Sequence, residues 1–296
     1  MKRTAPARSR RAPAFTEELL AVLVTYRQSP RDCVTIRSLE RQRLGSAAPL
    51  ALLVHDNSPE PVRAEAMPDP RHWSVTYRHD PSNSGVSAAY RAGAELARKL
   101  GKKWLLFLDQ DTRFASDAMD RYSEAVTSHS GAVLHCPILK AGATIISPCL
   151  YRRKRGKPLH DIAAGLRRFT GVSVLNSGMC VAIDAYDRSG GHDPAVPLDF
   201  SDHDFIARFQ HVVPEFVVVD TVAEHGFSGT SPQSAEAAQR RFELYCAGAL
   251  RSSRTTTERV ESLALVSARA LLLAYRYRHA AFMWTALSVM TRDDAG

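Results

Sequence analysis

The segment Trp104-Leu-Leu-Phe-Leu-Asp-Gln-Asp-Thr112 constrains this chain more than any other. Four consecutive apolar residues, Leu105 to Leu108, run straight into Asp109 and Asp111. An unbroken apolar run suits a central strand buried on both faces. Asp109 and Asp111 then fall at its carboxyl end, where open α/β sheets bind their ligands. Residues two apart on a strand point the same way. Both carboxylates can therefore face one hard cation, or a diphosphate held through it, and Gln110 between them need not touch it. The same pair would also serve as a turn former or a helix cap, and Asp-x-Asp alone does not decide between these uses.

The flanks supply context. Leu19 to Thr25 reads as a buried parallel strand, followed by the loop Tyr26-Arg-Gln-Ser-Pro30. Ser29 and Pro30 are placed as the N-cap and first residue of a helix running to about Arg43. Leu50 to His55 is a second strand ending in Asp56-Asn-Ser-Pro59, and Trp73 to Tyr77 a third. Asn83-Ser-Gly85 then opens a helix to about Leu100, capped by Asn83 or Ser84. Its small residues Gly85, Ala88, Ala89, Ala92 and Gly93 allow close approach to the sheet or a ligand. Three strand ends thus carry polar residues, Thr25/Tyr26, Asp56/Asn57 and Asp109/Asp111, in a β-α-β-β-α-β order. No Gly-x-x-x-x-Gly-Lys-Ser/Thr or Gly-x-Gly-x-x-Gly occurs, which counts against P-loop enzymes and dinucleotide dehydrogenases.

Further on, the pattern gives a helix near Ser116 to Ser128 and strands at Ala132 to Leu139 and Ala143 to Leu150. The basic run Tyr151-Arg-Arg-Lys-Arg-Gly-Lys157 reads as a solvated loop in preference to a binding element. Val172 to Leu175 and Met179 to Ile183 flank a tight turn at Asn176-Ser-Gly178. Asp199 to Arg208 opens a short helix, Phe216 to Val219 is a last strand, and His225-Gly-Phe-Ser-Gly229 a loop. From about Ser234 the pattern is helical. Val260 to Met290 is Ala/Leu-rich and amphipathic, interrupted by Tyr275-Arg-Tyr-Arg-His279. It packs on the main domain or lies on a bilayer surface.

The 296 residues accommodate one large α/β domain with an appendage, or two modest domains. A 45% apolar content supports a sizeable core, and a net charge of +8 favours anionic partners such as phosphates, acidic headgroups or nucleic acid. The five cysteines are scattered without a Cys-x-x-Cys, which argues against a disulfide scaffold or a zinc site and for a reducing compartment. The first thirteen residues are basic and Ala/Pro-rich without an apolar segment, so they read as a disordered tail. No apolar run approaches the ~20 residues needed to cross a bilayer. The expected location is cytoplasmic, with peripheral contact at the inner face of a membrane left open. The expected division is a tail over 1–14, a catalytic domain over 15–232 and a helical extension over 233–296.

Assembled in order, these pieces resemble the family 2 glycosyltransferases of the GT-A fold, in particular their bacterial rhamnosyltransferase-like branch. The matching pieces are Val-Thr-Tyr26, His-Asp-Asn-Ser58, Asn-Ser-Gly85 with Gly93, Leu-Asp-Gln-Asp-Thr112, Asn-Ser-Gly178, and Asp-Phe-Ser-Asp-His-Asp-Phe205 with Arg208. The resemblance implies an α/β fold with a Rossmann-like mixed sheet and a C-terminal helical extension. It implies inverting transfer of a sugar, rhamnose foremost, from a nucleotide diphosphate donor to a glycan or lipid-linked acceptor in cell-surface polysaccharide synthesis. Thr25, Tyr26 and Asp56 would hold base and ribose, with Asn83 and Gly85 on the donor side. Asp109 would lie near the ribose, and Asp111 with His225 would hold Mg²⁺ or Mn²⁺ to neutralise the departing diphosphate. Asp202 would be the general base. Asp204 and Arg208 would form a supporting ion pair, and Ser177 and Gly178 would support the site. Read from the residues alone, Asp202 and Asp204 would merely complement a helix N-terminus, and His225 would be a surface histidine.

Two positions depart from the family pattern. Arg91 stands where relatives carry Asn, so it salt-bridges a phosphate or faces solvent. Ser201 stands where many carry Glu before the base, which leaves Asp202 with one fewer acidic neighbour. Two other functions compete. A nucleotidyltransferase shares the α/β layout, but Val24-Thr-Tyr-Arg-Gln28 lacks its Gly-rich basic signature. A non-catalytic nucleic-acid binder is suggested by charge alone, without a recognised motif, and the preferred reading excludes nucleic acid as a partner. A glycosyltransferase relative that has lost activity is a further alternative.

Overall fold

The structure, a computed structural model, describes residues 14–42, 48–226 and 234–292. The expected basic tail, the expected end of the first helix at Arg43, residues 227–229 of the expected loop and the expected boundary at 232/233 lie outside the described residues, Ala14 apart.

The centre is a mixed sheet. β1 (Leu19–Thr25) lies between β2 (Leu50–Asp56) and β4 (Trp104–Asp109), and β3 (Trp73–His79) pairs beyond β2, all parallel. All seven residues of β1 and of β2 are buried, their apolar runs Leu19–Val24 and Leu50–Val54 as well as the polar ends Thr25, His55 and Asp56. Alternation divides them between two cores. Leu20, Val22, Leu105 and Phe107 pack on one face, and Leu19, Ala21, Leu23, Leu106 and Leu108 on the other. Burial of each such side chain contributes about 1.5–3 kcal/mol, so one charged substitution in β4 would remove the element that carries the carboxylates.

Helix α1 (Val34–Glu40) follows β1, and α2 (Gly85–Lys99) crosses from β3 to β4. The expected start of the first helix at Ser29 is corrected: Pro30–Asp32 forms a single 3₁₀ turn, and Cys33, extended at ψ 135°, breaks the run before α1 begins. Gly93 lets α2 sit close on the sheet, since a Cβ there would lie 2.4 Å from Val22 Cγ2. Gly85 has φ +86°, and a Cβ would lie 2.2 Å from the Pro197 carbonyl oxygen. Gly85→Ala is therefore expected to destabilise the fold by about 1–3 kcal/mol through strain and overpacking, read as a lower midpoint of urea unfolding.

Beyond β4 the sheet becomes mixed. After β5 (Thr112–Phe114) and α3 (Ala118–Ser128) come the hairpin β6 (Leu134–Ala141) and β7 (Thr144–Arg152), then β8 (Arg155–Leu159), β9 (Gly165–Arg168) and β10 (Val172–Ser173). β11 (Cys180–Ala182) then inserts antiparallel between β4 and β6. Helices α4 (Ile183–Arg188) and α5 (Ser201–Phe209) lead to β12 (Glu215–His225), which runs parallel to β6 and antiparallel to β5. The last strand is thus longer than expected. Its pairing with β5 continues to His225 opposite Thr112, so His225 ends a strand and does not sit in a loop.

Helices α6 (Ala235–Arg251), α7 (Thr256–Tyr277) and α8 (Ala281–Arg292) form the extension around their own core of Phe242, Cys246, Val266, Ala270 and Phe282. Ser234 and Thr255 cap the first two, accepting from the amides of Ala237 and Glu258. Arg278, at φ 52°, ends α7 inside the expected interruption. Phe200 packs against this core, and Arg241 pairs with Asp199 at 2.9 Å, which joins the extension to the domain.

Two buried histidines give stability a defined pH dependence. Burial pulls His135 down to about 4, with no hydrogen bond at either ring nitrogen, and pulls His192 well below its usual range. Below about pH 6.5 the unfolded chain takes up protons that the folded rings refuse. Stability should therefore fall as pH drops from there, by up to about 1.4 kcal/mol per pH unit for each ring. Urea midpoints measured from pH 7 to 4.5 check this, and replacing His135 with Phe should flatten the slope.

Candidate active site

The register places the functional residues on one edge. Thr25 lies opposite Asp56, and Val24 opposite Asp109, so three strand ends meet in line. Asp109 ends β4, Asp111 lies in the turn to β5, and His225 ends β12 opposite Thr112. One ligand atom from each of Asp109, Asp111 and His225 lies within 4.8 Å of the others. His225 Nδ1 is 3.5 Å from Asp111 Oδ1 and 3.0 Å from Thr112 Oγ1. Asp109 is held by two hydroxyls. Its Oδ2 accepts from Ser177 Oγ and its Oδ1 from the Tyr90 hydroxyl at 3.3 Å. Burial pushes the Asp109 carboxyl up, opposed by Ser177 and His225 and reinforced by Asp111. Two carboxylates brought together in a partly desolvated site need a countercharge. Two carboxylates and an imidazole form a donor set that fits Mg²⁺ or Mn²⁺.

The loops are tied to one another by contacts that sequence reasoning did not find. Thr35 Oγ1, on α1, donates to the carbonyl of Asp109 and to that of Thr112 at 2.8 Å, and accepts from the Thr112 amide at 3.0 Å. Gln110, which the sequence reading left without a task, accepts from the Tyr26 amide at 2.8 Å and joins the end of β1 to the carboxylate turn. These partners are more than seventy residues apart, and no local pattern marks them.

On the donor side, the Tyr26 ring is exposed and lies under the Arg27 guanidinium at 5.3 Å. Asp56 is fully buried. Its Oδ1 accepts from the Ser58 amide at 3.0 Å, from the Ser58 hydroxyl and from Thr25 Oγ1 at 3.4 Å; its Oδ2 accepts from Tyr77 at 2.8 Å. It therefore orders the strand ends as well as standing beside them. A cavity of about 620 Å³ opens here between Arg27–Ser29 and Ser58–Ala66, within the ~300–1,000 Å³ of small-molecule sites. Asn83 is exposed at φ 52°, and the first amides of α2 donate to the Pro197 carbonyl, Val86 at 2.8 Å. Gly85 thus abuts Pro197, while the Asn83 amide donates to the Asp80 carbonyl at 3.1 Å, and these contacts do not link either to the carboxylate cluster.

Asp202 lies in the first turn of α5, where it accepts from the His203 amide at 2.8 Å. The turn Asn176-Ser-Gly178 connects this helix to the carboxylates. Ser177 donates to Asp109, while Asn176 Nδ2 donates to Ser201 Oγ at 3.3 Å, next to Asp202. Gly178, at φ +81°, packs a backbone against Pro137 and Phe114 that a Cβ would overlap. His192 Nε2 bonds Asn176 Oδ1 at 3.0 Å and fixes the amide from behind. Asp204 pairs with Arg208 at 2.9 Å as expected, and also with Arg254 of the extension at 2.8 Å. Arg91 bridges no acidic residue or loop of the cluster; it is exposed, and its guanidinium donates to the carbonyls of Gly190 and His192 at 3.2 and 3.3 Å.

Asp202 opens on a cavity of about 350 Å³ lined with Lys154, Asp199, Phe200, His203, Arg241 and Tyr245. The basic run is not a uniformly solvated loop. Its hairpin turns Lys154 inward, where it donates to the Ser252 carbonyl and at 3.0 Å to Ser252 Oγ, and burial pulls its ammonium down. The neighbours Arg152, Arg153 and Arg155 are exposed as expected. Lys154, Arg241 and Tyr245 were missed because they come from a hairpin and a helix far from Asp202 in sequence.

Residues 18–143 match the family model for glycosyl transferase family 2. The match takes in β1 to β6 with Asp109 and Asp111, and the mixed sheet with its added helices is the GT-A fold. No curated protein matches the sequence. Among solved structures, S. aureus TarS is similar with a TM-score of 0.51 at 11% identity, over 86% of this chain and 43% of that one. TarS 1–349 in complex with UDP gives 0.51 at 11% identity, over 84% and 70% of the two chains. GalNAc-T7 with UDP, GalNAc and Mn²⁺ gives 0.51 at 12% identity, over 94% and 57%. At these identities the likeness is one of fold, and the chain spans less than half the length of the first of these, 43%.

Proposed function

We propose that the domain transfers a sugar, with inversion, from a nucleotide diphosphate donor to a hydroxyl of a glycan or lipid-linked acceptor. The observation that carries this is the turn Asn176-Ser-Gly178, which bonds Asp109 of the carboxylate cluster with one residue and the helix of Asp202 with its neighbour. The donor lies along the ends of β1, β2 and β4, with Tyr26 and the adjoining cavity receiving the base, and Asn83 and Gly85 bounding that side. Asp109, Asp111 and His225 hold Mg²⁺ or Mn²⁺, which when bound neutralises charge on the departing diphosphate. UDP with Mn²⁺ in GalNAc-T7 and UDP in TarS support such a donor.

Asp202 takes the proton of the acceptor hydroxyl as that oxygen bonds to the anomeric carbon. The bond from that carbon to the diphosphate breaks on the opposite side, and the nucleoside diphosphate leaves with the electron pair. Arg208 and Arg254 hold Asp204 and so hold α5 in place; Ser177 and Gly178 keep the bridging turn. The Asp-Gln-Asp-Thr form supports rhamnose as the sugar and cell-surface polysaccharide as the product. Such a reaction draws on donors on the cytoplasmic side. Incubation with UDP-, dTDP- and GDP-sugars and Mn²⁺ tests the reading. Release of nucleoside diphosphate from one donor class is expected. Pyrophosphate release from a nucleoside triphosphate and a sugar phosphate would instead make it a nucleotidyltransferase.

A further inference from the structure

The extension has two apolar sides. One, with Ser262, Val266 and Ala270 of α7 and Phe282 and Ala286 of α8, is buried in its core. The other carries large apolar side chains into solvent: Val260 is 60% exposed, Leu271 59%, Leu272 64%, Tyr275 87% and, on α8, Trp284 71%. Val260, Leu271 and Tyr275 recur at helical spacing, so they form a stripe along α7 and not scattered accidents. From Ser262 to Arg292 the sequence has no aspartate or glutamate, while Arg276, Arg278 and His279 lie exposed at the break between the helices.

We propose that the α7–α8 hairpin lies on an anionic lipid surface, with this stripe and Trp284 in the headgroup boundary and Arg276 and Arg278 against acidic headgroups. An apolar stripe with tryptophan and arginine, with Glu258 and Glu261 confined to the N-terminal end of α7, is the composition of a helix lying in a membrane interface. No helix of the described residues is long and apolar enough to cross a bilayer, so the hairpin lies on the surface. Charge complementarity points to this occupant: an acidic lipid surface complements the exposed Arg276 and Arg278. The extension also contributes Arg241 and Tyr245 to the cavity at Asp202.

Flotation of the full chain with phosphatidylcholine vesicles, alone or mixed with phosphatidylglycerol, tests the surface. Binding to the mixed vesicles is expected, weakening as salt rises. Leu272→Glu/Trp284→Glu should bind about tenfold or more weakly, with the melting temperature retained because both sites are solvent-facing. Arg276→Gln/Arg278→Gln, which removes charge alone, should lose the preference for phosphatidylglycerol. Absence of binding by the wild type, or equal binding by both variants, overturns the proposal. Concentration-dependent self-association that Leu272→Glu/Trp284→Glu abolishes, without vesicle binding, would assign the stripe to a second copy. No nucleotide sugar is present, so failure here leaves the donor site standing, and failure of donor binding leaves the vesicle result standing.

Discussion

Replacing Asp202 with asparagine should lower turnover by about 10²–10⁴-fold, the range supplied by a positioned general base, while leaving donor affinity unchanged. Asparagine keeps the shape and can still accept from the His203 amide that Asp202 holds at 2.8 Å. Its amide oxygen cannot take a proton from the acceptor, so the loss falls on the chemical step. Asp202, on α5, is not one of the three residues, Asp109, Asp111 and His225, whose ligand atoms gather within 4.8 Å. Nucleotide binding is therefore the control for the same protein. The measurement is initial rate of nucleoside diphosphate release beside the dissociation constant for that nucleotide. Equal rates in wild type and variant would remove Asp202 from the reaction.

Asp111→Ala should lose metal affinity by about tenfold or more, since it removes a charged oxygen ligand of a hard cation. Asp109 remains, but its oxygens already accept from the Tyr90 and Ser177 hydroxyls, and burial pushes its carboxyl up. Asp111 keeps His225 Nδ1 at 3.5 Å. A titration of Mn²⁺ followed by the resonance of the free aquo ion reads this loss directly. Asp111→Ala with wild-type Mn²⁺ affinity would place the cation elsewhere.

The parallel half of the sheet was legible because its signals are local. Leu105 to Leu108 suited a strand buried on both faces, and the carboxylates Asp109 and Asp111 followed at its end. Asp204 and Arg208 were legible because four residues on a helix set one spacing. What escaped depends on long-range closure. His225 reads as a loop residue until β12 is seen pairing with β5. Thr35 and Gln110 carry no signal for the contacts they make, and Asn176 was legible only as part of a turn, yet each joins segments that only the folded chain brings together. Lys154 looks like one charge in a solvated run, and the hairpin turns it inward. Gly85 was legible as a close approach, but its partner is the backbone at Pro197.

The most direct measurement is a thermal-shift panel of the wild-type chain with UDP, dTDP, GDP and CMP, each with and without Mn²⁺. A ligand at 100 times its dissociation constant stabilises the native state by about 2.7 kcal/mol, which is readily seen as a higher melting temperature. One nucleoside diphosphate should raise it, and only when Mn²⁺ is present. No shift with any nucleotide, with or without the metal, would contradict a donor site at the ends of β1, β2 and β4.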